Sequence, residues 1–304
     1  MTASYLTEQT KLSFASSNSS FIECIRNHLS FHYLSSSFYS NSECNGPDYY
    51  DCILLTPHIT FSSSASFYSC IFLSLCADVN GGAIHFTCSG ALSLSACLFS
   101  HCCTNVSLVS FNGGGAVCVE SGSLVISSTA FIRCESESYS GGVLAERDAT
   151  SSEVSHCEFI GCEGMSGAGI MTYYGLSSSV FSSFFIDCHA SWCGGGLYHD
   201  SDQDFHSLTL SNLLFSENSA KYKNNSDSAN TRGGGAFEDY RTGSYSSTYT
   251  FIFFTGNEAT NSVGNDVSAI KHKHTLSPIT ACYTTNTFHS FWNTASEGYV
   301  NWLP

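Results

Sequence analysis

Residues 81–102 read GGAIHFTCSGALSLSACLFSHC, residues 114–134 read GGAVCVESGSLVISSTAFIRC, and residues 141–162 read GGVLAERDATSSEVSHCEFIGC. Each opens on a glycine pair, alternates small polar with apolar residues, and closes on F-x-x-C. The pattern extends in both directions. Glycine pairs start at Gly81, Gly114, Gly141, Gly167 (with Ala168 as second member), Gly194 and Gly234, and the matching phenylalanines are Phe99, Phe131, Phe159, Phe185, Phe215 and Phe254. The separations are 18, 17, 18, 18, 21 and 20 residues. A self-similar unit of this size is the signature of a stacked, solenoidal architecture.

The alternation identifies the element. Leu92 and Leu94 flank Ser93, and Leu124 and Ile126 flank Val125, the period of two expected of strands with one buried face. A coil of the size running from Gly114 to Gly141, with three such strands, cannot bury its apolar face alone; stacking on its neighbours in parallel ladders about 4.8 Å apart does so. Parallel pairing without helical crossovers excludes a doubly wound sheet. The expected fold is all-β: a right-handed parallel β-helix (β-solenoid) forming a single elongated domain of about seven to nine coils. Counting four from the start of each glycine pair gives an apolar column of Ile84, Val117, Leu144, Ile170, Leu197 and Phe237. The position before it holds Ala83, Ala116, Val143, Gly169, Gly196 and Ala236.

Two further columns follow. In register, Phe99, Phe131, Phe159, Phe185, Phe215 and Phe254 form an interior aromatic ladder. Three residues beyond them stand Cys102, Cys134, Cys162, Cys188, Asn218 and Asn257. Interior Asn on adjacent coils is expected to hydrogen-bond side chain to side chain and to turn backbone, and Cys fills similar space with a weak donor. A second thiol column holds Cys70, Cys97 and Cys157, interrupted by Thr129. Most of the sixteen cysteines therefore read as buried thiols. Stacked cysteines have suitable Cα spacing but parallel Cβ vectors, which disfavours bridging. The tandem Cys102 and Cys103, and Cys193 beside its glycines, are the expected exceptions.

Composition narrows the function classes. Charged residues make up 12% of the 304 residues, about half the ~25% of average domains. The formal net charge of −15, with ten Lys and Arg in all, argues against nucleic acid, which needs clustered cations. No stretch reaches the ~20 apolar residues of a membrane helix, so no integral membrane segment is expected. The opening MTASYLTEQTKL has no basic start followed by an apolar segment, so no secretory leader is expected of it. The compartment is left open: cell surface or extracellular for a fragment of an exported protein, otherwise intracellular.

Three regions are expected. Residues 1–66 are divergent N-terminal coils and a cap, with Phe21–Cys24 and Phe38–Asn41 as partial matches; residues 67–267 are the regular coils; residues 268–304 are a final coil and cap. The distance from each phenylalanine to the next glycine pair varies most, and the two long insertions are Cys103–Asn112 and Ser219–Arg232. Both fall in one turn and project from one side, where repeat proteins place variable, partner-contacting loops.

The combination of G-G-A-[I/V/L] and F-x-x-[N/C] at coil spacing resembles the repeats of chlamydial polymorphic outer-membrane proteins. It looks equally like the related β-helix proteins of trichomonad protists. The cysteine-rich variant, Gly264–Val267 and Cys282-Tyr283 look more like the protist set. Coverage is roughly Phe67 to Val267. The resemblance implies an extended, surface-exposed rod used in adhesion, binding a protein or glycan partner at a cell surface through exposed sheet faces and inserted turns.

Chemistry is sparse. The fold also hosts pectate-lyase-like carbohydrate-active enzymes, so catalysis must be judged on residues. The polar positions after the glycine pairs are Glu120, Glu146, Arg147, Asp200, Glu238 and Asp239; they form no evident cluster of acids with Arg or Lys. No catalytic or cofactor-binding residue is expected, and no cofactor. The weak metal candidates are Asp200, Asp202 and Asp204, which alternate as a calcium loop's first ligands do. Phe205 replaces the required Gly and Ser211 the required Glu, so this is no EF-hand and a solvated acidic turn is expected. A non-enzymatic binding rod leads; a carbohydrate-active enzyme and an intracellular scaffold with reduced cysteines are the alternatives.

Overall fold

The computed structural model describes residues 48–54, 57–61, 63–105, 113–173, 177–201, 206–221, 234–240, 245–259, 267–271, 280–284 and 291–292. The described residues contain strands and no helix. Every strand pair is parallel, and each strand pairs with its counterpart one coil away: Val117 with Ile84 and Val143, Phe131 with Phe99 and Phe159, Glu135 with Cys103 and Glu163. This pattern fits a β-solenoid. No helix of the described residues is long and apolar enough to cross a membrane.

The coil that starts at Gly114 carries three strands, as expected: Val117–Ser127, Ala130–Ile132 and Glu135–Ser136. In other coils the first divides in two, and the four are Ile84–Phe86, Ala91–Ser95, Leu98–Ser100 and Cys103–Thr104. The first three belong to a 22-stranded sheet and the last to a separate 7-stranded sheet. The phenylalanine ladder occupies the interior as expected. Phe72, Phe99, Phe131, Phe159, Phe185, Phe215 and Phe254 stack in near-parallel pairs with centroids 4.2–5.0 Å apart, and each is at most 2% exposed.

The asparagine column behaves as read. Asn218 Nδ2 donates to Asn257 Oδ1 at 3.0 Å and to the Phe185 carbonyl at 2.9 Å; Asn218 Oδ1 accepts from the Cys188 N–H at 2.9 Å. Asn257 Nδ2 donates to the Phe215 carbonyl at 3.0 Å. The cysteines copy the donor half of this arrangement. Cys102, Cys134, Cys162 and Cys188 each point Sγ at the phenylalanine carbonyl of the preceding coil, 3.4–3.7 Å away. Burial pushes the Cys134 and Cys188 thiols well up, which keeps them protonated and able to donate.

Two corners per coil are built without an obligatory glycine. Asp51, Ser69, Ala96, Ser128, His156, Ser182 and Asn212 occupy the left-handed region at one corner; Ser74, His101, Arg133, Gly161, Asp187, Glu217 and Gly256 occupy it at the next. The residue that follows stabilises the bend. Cys97 Sγ, Thr129 Oγ1 and Ser183 Oγ each donate to the carbonyl two residues back, at 3.3, 2.9 and 2.9 Å. Thr129 therefore does not interrupt the second thiol column: it is the same corner device with a stronger donor. Only the third corner needs glycine. Gly114 has φ +68°, and a Cβ there would collide with the Val117 carbonyl.

Two expectations need correcting. Val143, not Leu144, pairs with Val117, and Ala236, not Phe237, pairs with Leu197. In these coils the glycine pair fills the second and third corner positions, so a count from its first member runs one residue late. A one-residue slip moves every side chain to the other face: Val143 joins the main core, and Leu144 joins an outer apolar cluster. The second concerns sulfur: Cys103 is an exception to the free thiols as expected, but Cys102 and Cys193 are not. Cys76 and Cys103 are stacked equivalents, and they form a disulfide with a Cα–Cα distance of 4.4 Å. Their side chains face outward, where Cβ vectors can lean together free of core packing. Eleven other cysteines from Cys52 to Cys193 are free thiols.

Candidate functional site

Three outward surfaces carry polar side chains in register. The first follows the glycine corner. Glu120 and Glu146 lie one residue beyond the paired Val119 and Ala145 on neighbouring coils, and Asn80 bridges them. Asn80 Oδ1 accepts from the Gly113 N–H at 3.0 Å, which turns the NH2 group toward both carboxylates, 3.1 Å from Glu120 Oε1 and 3.4 Å from Glu146 Oε1. His85 Nε2 sits 2.7 Å from Glu120 Oε1. Buried Cys118 donates Sγ–H to Glu146 Oε1 at 3.3 Å.

Burial, with the Glu120 charge adding to it, pushes the Glu146 carboxyl up to about 7, although the Cys118 bond works the other way. The pair thus sets a carboxyl able to hold a proton near neutrality beside a second carboxylate. An N–H donor stands between them, where a cation would have to sit. Among the described residues, no group of three His, Cys, Asp or Glu side chains is arranged to hold a metal ion. The sequence reading treated Glu120 and Glu146 as unclustered; coil stacking brings them together. It gave no notice of Asn80 or His85, because their meeting depends on how far each corner reaches.

The neighbouring coils continue this side differently. Thr172, His199 and Glu238 share a column, and Tyr173 pairs with Asp200. Asp200 is 1% exposed and accepts from Tyr198 Oη at 3.2 Å; Thr172 Oγ1 and His199 Nδ1 are 2.6 Å apart. Asp200 therefore lies buried on the strand Leu197–Ser201 rather than in a solvated turn. Asp202 and Asp204 lie outside the described residues. The outer side chains of these strands, Leu144, Met171 and Tyr198, pack beneath Tyr139 and Trp192, so this face is covered.

The second surface is a groove of about 380 Å³ on the 7-stranded sheet, lined by Glu135, Glu137, Glu163, His189, Ser219 and Lys221 among others. Glu135, Glu163, His189, Ser219 and Glu258 form one in-register column. His189 Nδ1 lies 2.8 Å from Ser219 Oγ, and its Nε2 3.1 Å from Asp187 Oδ1. Lys221 Nζ pairs with Glu258 at 2.7 Å. The Ser–His–Asp order suggests acyl transfer, but the Ser219 and Lys221 N–H groups are both bonded to carbonyls of the preceding coil, leaving neither to form an oxyanion hole. Both long insertions leave this sheet, after Thr104 and after Ala220.

The third surface is the outward face of the strands equivalent to Ala91–Ser95. One column runs Ser66, Ser93, Val125, Glu153, Ser179, Thr209, Thr248; the other runs Tyr68, Ser95, Ser127, Ser155, Phe181, Ser211, Thr250. Five of seven positions in each are Ser or Thr, of which Ser155 is buried and donates to the Ile126 carbonyl at 3.4 Å. Ser127 and Ser95 are hydrogen-bonded along the column at 3.0 Å, as are Ser177 and Ser207 at the strand edge.

Comparison with family models, with curated proteins and with solved structures finds no match.

Proposed function

We infer that the chain is a right-handed parallel β-helix that acts as a non-enzymatic binding rod at a cell surface, holding a protein or glycan partner against its outer faces. The hand follows from strand twist, since crossovers between parallel strands of one sheet are almost always right-handed. The observation that carries the reading is the sorting of outward side chains by face: carboxylates, His and Lys line the groove of the 7-stranded sheet, and hydroxyls line the long strands. Side chains held at fixed strand spacing on a stiff support are pre-organised for recognition at little entropic cost.

The test is direct binding of the purified chain to a panel of immobilised glycans and to intact cells. Saturable binding that is weakened at least tenfold by substitution of one outer face supports the rod; absence of binding across glycans and cells overturns it.

The Glu120–Glu146 pair favours a second reading, a carbohydrate-active enzyme with Glu146 as proton donor. Polysaccharide turnover with calcium present, abolished by Glu146→Gln, would establish it. Lack of turnover with every member of the panel leaves the binding rod.

A further inference from the structure

The acidic character of the chain is unevenly distributed. Against a net charge of −15, the two hydroxyl columns hold two formal charges, Glu153 within them and Asp48 at one end, paired with Ser66. Elsewhere the carboxylates gather at the Glu120–Glu146 pair and in the groove with Glu135, Glu137 and Glu163. On the hydroxyl face the registers run without a shift from strand to strand over the paired five-residue stretches, Ser123–Ser127 among them. The result is a grid with steps of about 4.8 Å along the rod and about 6.7 Å, twice the rise per residue, across it.

Each hydroxyl both donates and accepts. Ser and Thr are short, so ordering them on binding costs little side-chain entropy compared with Lys, Glu or Gln. The face is sparsely charged, with Glu153 and Asp48 alone in its columns, and most of its positions lack the apolar bulk that makes permanent protein interfaces. A basic protein would be drawn to the carboxylate sides instead, and a second copy of the chain would bury little apolar area here. What the grid matches is a partner that is itself uncharged, rich in hydroxyls and repetitive at the scale of a sugar unit.

We propose that the hydroxyl face of the long strands is a docking surface for a neutral polysaccharide lying along the rod. This rests on the binding-rod reading and names its partner class. Tyr68 and Phe181, which break the second column, supply aromatic faces for sugar C–H groups. Because the partner is uncharged, attachment is insensitive to salt, unlike that of a cation held by the acidic groove.

The experiment is a sedimentation assay of the whole chain with insoluble cellulose, chitin, mannan and β-1,3-glucan, with polygalacturonate and heparin beads as charged controls. Binding to at least one neutral polymer, retained in 0.5 M NaCl at the salt level where Debye screening falls to a few ångströms, is expected. Ser93→Lys with Thr209→Lys should weaken it more than tenfold. Ser179→Ala with Ser211→Ala removes hydroxyls without adding bulk and should weaken it about threefold to tenfold, about 1 kcal/mol. Glu135→Lys with Glu163→Lys should leave it unchanged.

Binding lost in the groove variant but kept in both hydroxyl-face variants overturns the proposal while the binding rod stands. Binding only to charged polymers, or only below physiological salt, also overturns it. Self-association in analytical ultracentrifugation that disappears in the Ser93→Lys/Thr209→Lys variant would assign the face to a second copy instead. No binding to any polymer or cell overturns both readings.

Discussion

Asn218 and the cysteines above it show how one interior position serves two chemistries. Asn218 satisfies a carbonyl one coil back and an N–H in the same column, whereas Cys188 turns a weak S–H donor toward the Phe159 and Ile186 carbonyls. Asn218→Ala should cost about 2–4 kcal/mol, because it leaves two buried backbone groups unpaired; urea denaturation checks this. Cys188→Asn should keep or raise stability by roughly 1 kcal/mol, since a buried amide makes both bonds, while Cys188→Val should lose a similar amount. Equal midpoints for the two Cys188 variants would contradict the assigned role.

Glu146 gives the chain a pH dependence of definite sign. Its carboxyl is raised to about 7 in the folded protein, from an ordinary value of 4.5, chiefly by burial. The folded state therefore binds the proton more tightly than the unfolded state. Stability from this group is fully present below about pH 4.5 and is lost as pH rises through about 7. The melting temperature should fall by a few degrees between pH 5 and pH 8, and Glu146→Gln should flatten that segment of the profile.

At the scale of the element, the corners set the shape of the coil. Arg133 stands in the left-handed region at a position that Gly161 and Gly256 fill in later coils. Arg133→Gly should stabilise by about 1 kcal/mol, provided the relieved strain exceeds the added freedom of the unfolded chain; a lower melting temperature would refute the strain argument. Two strands of the 7-stranded sheet, Cys76–Ala77 and Cys103–Thr104, are two residues long, and the disulfide joins these two. Replacing both cysteines with serine should cost roughly 3–4 kcal/mol from the 27-residue loop it closes. Peptide mapping under non-reducing conditions should find that one bridge among the thirteen cysteines from Cys52 to Cys193.

For the whole molecule, stability is close to a chain of nearest-neighbour terms, because strands pair only with those of the adjacent coils, although the Asn80–Glu146 bond reaches two coils on. Phe159 lies mid-ladder, stacked 4.8 Å from Phe131 and 4.9 Å from Phe185. Phe159→Ala should cost about 3–5 kcal/mol and, by weakening one junction, should split a single unfolding transition into two. A single sharp transition at lower temperature would mean that coupling along the rod is longer-ranged than neighbour contacts provide.

The period, the alternation and the columns of Phe, Asn and Cys are local facts, and the sequence by itself determined them. A residue type recurring at coil spacing has to face the same interior, since no other arrangement buries it. The glycine corners were legible for the same reason. The tertiary structure alone decided the rest. Three small residues in a row leave the register open by one, and only packing places Val143 inside and Leu144 outside. The corners at Ala96, His101 and Arg133 carry no shared residue type, because their bend is held by the side chain that follows. The Asn80–Glu120–Glu146 contact and the Ser219–His189–Asp187 chain join residues whose sequence separations depend on insertion lengths. Which outward side chains meet is fixed only once the coils are stacked, and the surfaces that could hold a partner are made of those meetings.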